Sequence, residues 1–64
     1  MVTFWKISRQ NPYGHTQFLC GVRPTLWTIE EDHAQRFNDH DAVVACRWLI
    51  QIGVSFTIRQ FSIP

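Results

Sequence analysis

Between residues 11 and 14 the chain reads Asn-Pro-Tyr-Gly, and on each side lies a run suited to extended backbone. Proline presets one backbone angle, asparagine closes local turns through its side chain, and glycine reaches conformations that other residues avoid. Val2 to Arg9 and Thr16 to Val22 are rich in β-branched and aromatic residues, so the segment predicts a β-hairpin with a loop longer than two residues. Val2 and Phe4 alternate with Thr3, Trp5 and Ile7. Both faces of the first strand are therefore apolar, which suits a central position. In the second strand Phe18, Cys20 and Val22 fall on one face. Pro24 has no amide to give to a ladder, so the sheet is expected to break near Arg23-Pro24.

Helical signals follow. Thr28-Ile29-Glu30-Glu31 has the form of a capping box, and Ile29, His33 and Phe37 recur at helical spacing, predicting a short helix from about Ile29 to Arg36. Asn38 and Asp39 are stop and restart residues, with Asp39 as the expected cap of a second helix over about His40 to Gln51. Gly53 sits where a helix ends. Val54 to Ile63 then reads as a third strand, with Val54, Phe56 and Ile58 on one face and Phe61 and Ile63 in the opposite phase. That change of phase calls for a bulge or for an outside contact. The expected architecture is one α+β domain over residues 1–64, ordered β-β-α-α-β: a three-stranded antiparallel sheet with two short helices packed on one face.

A chain of 64 residues, 45% of them hydrophobic and 17% charged, has enough apolar content for one core but little room for the architecture of an enzyme. No catalytic grouping argues otherwise. Cys20 and Cys46 stand in no Cys-x-x-Cys spacing and read as buried thiols. His33 and His40 are seven positions apart, too far to share one helix face as metal ligands, and Gly14, Gly21 and Gly53 form no phosphate loop. The reading is a non-enzymatic protein with no catalytic residues, metal or cofactor. Met1 to Lys6 lacks the pattern of a secretory signal, so a cytoplasmic location is expected. Ala42 to Ile52 falls short of the roughly 20 apolar residues of a membrane span, so no membrane association is expected.

Two surpluses point to a binding role. Around the second helix, Ala42, Ala45, Cys46 and Leu49 make the stripe that a sheet can cover, while Val43, Val44, Trp48 and Ile50 widen it beyond that need. On the sheet, Trp5, Ile7, Leu19 and Phe61 are expected opposite Phe4, Phe18 and Phe56, leaving the tryptophan side open. Charge is also segregated: residues 1–29 carry +3, residues 30–41 carry −4 and residues 42–64 carry +2. The acids suit helix starts through the macrodipole, and they also form an acidic knob able to meet a basic surface. Trp5, Trp48, Glu30, Glu31 and Asp32 are the candidate partner-binding residues.

Trp27-Thr28, Ala34, Phe37 and Ala42, spread over a quarter of the chain, resemble a pattern of small β-β-α-α-β proteins of phages and mobile elements. That resemblance implies a setting in which compact proteins, anti-CRISPR proteins among them, disable host machinery by binding it. The expected function is steric inhibition of a host protein complex. One alternative is a small nucleic-acid-binding regulator using Lys6 and Arg9 near Trp5 and Tyr13, against which the net charge of +1 counts. The other is a homodimeric structural module.

Overall fold

The computed structural model describes all 64 residues. Strand β1 (Val2–Gln10) and strand β2 (Thr16–Val22) form the expected hairpin. Asn11 Oδ1 accepts from the amides of Tyr13 at 3.0 Å and His15 at 2.9 Å, and Gly14 takes φ +81°, so Asn11 and Gly14 serve as their chemistry predicts. Strand β3 (Thr25–Thr28), a 3-10 turn at Glu31–His33, helix α1 (Asp39–Gln51) and strand β4 (Thr57–Ile63) follow. The sheet is antiparallel, in the order β3-β2-β1-β4. The expectation of three strands and two helices is thus corrected to four strands, one helix and a 3-10 turn, still a small α+β fold.

The extra strand arises because the chain turns at Pro24 and pairs again instead of leaving the sheet. Thr25 Oγ1 donates to the Val22 carbonyl at 2.8 Å across that reversal. A register shift between Leu19 and Gly21 leaves Cys20 as a bulge. An extra residue exchanges the faces beyond it. Val22 therefore joins Leu19 against the core, and Phe18 points the other way.

The expected first helix shrinks to a 3-10 turn, with the His33 and Ala34 amides bonded to Glu30 and Glu31, because the chain from Gln35 onward is claimed by the sheet. Gln35 N donates to Leu19 O at 3.0 Å, and Phe37 exchanges two backbone bonds with Trp5 at 2.7 and 2.9 Å. Gln35 to Phe37 thus fills the gap where β1 and β2 diverge beyond their three paired positions. Thr28, expected as a cap, closes only a local turn, its Oγ1 accepting from Glu30 N at 3.2 Å. Eight residues of helix are marginal alone, and satisfied strand-like bonds outweigh that propensity.

Helix α1 is capped by Asn38, not Asp39: Asn38 Oδ1 accepts from Asp41 N at 2.7 Å. Gly53, at φ +78°, follows its end. The helix lies on the face carrying Trp5, Ile7 and Leu19, where Ile7, Leu19, Phe37, Ala42, Ala45 and Leu49 form the buried cluster. Each large side chain so buried contributes about 1.5–3 kcal/mol. The expected allocation of faces is therefore inverted for β1 and β2, with Phe4 and Phe18 on the side away from the helix, while Phe61 lies on the open face and Phe56 packs against the core as expected. β4 needs no bulge. It pairs with β1 without a shift from Ser8↔Thr57 to Val2↔Ile63, and Phe61 lies opposite Phe4. No helix is long and apolar enough to cross a membrane.

Candidate functional site

Strand alternation puts Phe4, Lys6 and Ser8 of β1 on the open face, beside Phe61, Arg59 and Thr57 of β4 and with Phe18 of β2 opposite Ser8. The rings of Phe4 and Phe61 stack at 5.7 Å between centroids, 11° from parallel. Lys6 Nζ sits 5.2 Å from the Phe61 centroid and 5.9 Å from that of Phe4, and the Arg36 guanidinium lies 4.6 Å from the Phe4 ring. Phe4 is buried by this cover, while Phe18 and Phe61 stay half-exposed. Lys6, Ser8, Thr16, Phe18, Arg59 and Phe61 line a shallow concavity closed on one side by Glu31. Each cation over a ring is worth about 0.5–1 kcal/mol at such exposure. The rings thereby hold the charges in place on the surface.

The acidic turn stands at the rim of this face. Glu30, Glu31 and Asp32 are exposed. Lys6 Nζ lies 3.9 Å from Glu31 Oε1 and donates to the Glu31 carbonyl at 3.4 Å, which ties the turn to β1. Glu30 Oε2 is 3.1 Å from His33 Nδ1. Lys6 is largely covered, but Glu31 and the Glu30–His33 pair are more than half exposed, where an ion pair contributes about 0–1 kcal/mol, so the carboxylates remain available to other cations.

Trp5 and Trp48 are elsewhere. Both are half-buried between sheet and helix. Trp5 Nε1 donates to Asp39 Oδ1 at 2.7 Å and Trp48 Nε1 to Thr25 Oγ1 at 2.9 Å, so the indoles tie the two ends of α1 to β1 and β3. Of the five residues named from the sequence, the three acids are brought together beside the open face and the two tryptophans lie on the opposite side of the sheet. The nucleic-acid set is likewise divided. Arg9 lies on the helix side, its guanidinium 4.2 Å from the Trp27 ring and its Nε donating to Gln17 Oε1 at 3.0 Å. Tyr13 is exposed in the hairpin loop.

Of the residues on this face, Lys6 was named from the sequence only for nucleic acid and Phe61 only as open-face surface, whereas Phe4 and Phe18 were expected on the covered face and Arg36 and Arg59 were not singled out. The strand pattern held no decisive signal: on β1 the phase of Phe4 and Ser8 carries Lys6 and the phase of Trp5 and Ile7 carries Arg9, so each face has one cation.

On the helix side, Cys46 lines an apolar groove with Trp5, Val43, Ile50 and Ile58 between α1 and β4. Partial burial pushes its thiol above the ordinary range, which favours the protonated form. No three His, Cys, Asp or Glu side chains converge in a metal-binding set. No protein family, curated protein or solved structure matches the chain at a significant level.

Proposed function

We propose that the chain is a protein-binding module whose docking surface is the open face of its sheet, and that it acts by occupying a surface of its partner. One observation carries this reading: α1 covers a single face of the sheet, and the opposite face sets half-exposed Phe18 and Phe61 among Lys6, Arg36 and Arg59 with three carboxylates at the rim. Aromatic rings with arginine are the composition of interface hot spots, and charges of both signs set orientation. The matching partner offers an apolar side chain to Phe18 and Phe61, carboxylates to the exposed Arg36 and Arg59, and a cation to the acidic turn. The steric, inhibitory form of this activity, directed at a host complex, rests on the resemblance of the Trp27 to Ala42 pattern alone.

Nucleic acid is the second reading, favoured by rings beside cations, since bases stack on aromatic side chains while cations hold phosphates. The rim acids oppose it, because a phosphate chain crossing Lys6 would run past Glu30, Glu31 and Asp32. Titration with a single-stranded oligonucleotide and with polyglutamate, followed by resonance shifts of Lys6, Phe18, Arg59 and Phe61, separates the two. Shifts on this face with polyglutamate and none with the oligonucleotide support the protein reading. Oligonucleotide binding that weakens steeply with salt would replace it.

A further inference from the structure

We infer that β4 is a self-association edge, pairing antiparallel with β4 of a second copy about a two-fold axis through Gln60. The orientation of its backbone carries this. Trp5 spends its amide and carbonyl on Phe37, so it points both away from β4. Its partner Gln60 therefore stands in a non-bonded pair and points its own amide and carbonyl outward, away from the sheet. By alternation Ile58 and Ser62 do the same. β4 is the last strand in the sheet order, so these groups form an open ladder.

The edge lacks the usual protection. It runs seven residues without proline or a register shift and carries one charge, Arg59, whereas the opposite edge, β3, is protected by being only four residues long. Parity and charge select the register. Centring on Gln60 pairs Gln60 with Gln60 and Ile58 with Ser62, all residues whose bonds point outward, and overlaps the whole strand. It also places Arg59 opposite Phe61 of the second copy, cation beside ring on the open face. Centring on Arg59 opposes two like charges, and centring on Phe61 brings Pro64, which has no amide, against Ile58.

The helix side fits the same partner. The groove between α1 and β4 is lined by Val43, Ile50 and Ile58, and Val43 and Ile50 are 50% and 68% exposed. In the paired sheet the two β1 strands stand three strand spacings apart, about 14 Å. Helices in contact lie about 8–10 Å apart. That separation exceeds the contact distance with side chains included, so α1 of each copy clears the other and leaves the β4 edge free to pair. The two open faces then form one continuous surface.

Sedimentation of the intact chain over a concentration series tests this, beside Gln60→Pro. That substitution removes an outward amide at the axis, and an edge position of this kind tolerates proline. The mass is expected to rise from one chain toward two for the natural sequence and to stay at one chain for the variant. Amide exchange gives a second readout on the unaltered protein: Ile58, Gln60 and Ser62 are expected to become protected only as concentration rises. A single-chain mass throughout, a dimer that persists in Gln60→Pro, or exchange at these amides that ignores concentration would overturn the inference. None of these outcomes bears on Phe18, which stands on β2 away from the seam and whose variants leave the mass unchanged.

Discussion

Lys6 does two jobs with one ammonium: it lies over the Phe61 ring and ties down the acidic turn through Glu31. Cap residues give the sharpest test at this scale. Because Asn38 caps α1 while Thr28 closes only a turn, Asn38→Ala is expected to lower unfolding free energy by about 1 kcal/mol, and Thr28→Ala by a smaller amount, in urea titrations. A larger loss for Thr28→Ala would restore the helix that its sequence suggests. Cys46 gives a pH dependence. Its thiol is raised by burial, so the folded chain holds that proton longer than the unfolded chain does, and the stability due to Cys46 is full at neutral pH and falls as pH climbs through the ordinary thiol range. Alkylation by iodoacetamide at neutral pH is expected to be slower in the folded protein than in urea. At this scale the turn residues Asn11 and Gly14 and the stop at Gly53 were legible, since each acts within a few positions of itself. The partners of Trp5 and Trp48 were not, because Asp39 and Thr25 lie 34 and 23 residues away.

The segment from Gln35 to Phe37 is the element on which the fold turns. It closes the fork between β1 and β2 with backbone bonds and drives Phe37 into the buried cluster. Phe37→Ala is expected to cost about 3–5 kcal/mol, measured by denaturant unfolding. In native-state exchange, the amides of Gln35 and Phe37 are expected to be protected like those of β1, with the Asp32 amide exchanging quickly; fast exchange at both Gln35 and Phe37 would contradict the wedge. The hairpin, α1 and the last strand could be read from local pattern because propensity and burial agree there. The Ile29 to Arg36 stretch misled because its helical spacing, with Ile29 left 72% exposed, found no face to bury it, while distant strand edges took its backbone bonds. The β2 bulge at Cys20 was equally hidden, since one unpaired residue reverses a face without changing composition.

For the molecule as a whole, only seven residues are buried, while Val43, Val44, Ile50 and Ile52 on or beside α1 and Leu26 on β3 keep large exposed areas. A chain so small cannot cover its apolar groups with its own polar ones; the surplus on α1 lies where the sequence placed it, at Val43, Val44 and Ile50, while on the sheet its position could not be anticipated. The inverted faces follow from the bulge and the wedge, both long-range features. Their consequence is that phenylalanine with lysine and arginine, not tryptophan, occupies the open side. The most direct test compares quantitative capture of cellular proteins by three forms of the chain: natural, Phe18→Ser with Arg59→Glu on the open face, and Val44→Ser on the helix side. The docking account predicts a partner retained by the natural chain and by Val44→Ser and lost from the open-face variant, provided all three unfold at similar urea concentrations. Equal capture by the open-face variant would contradict it.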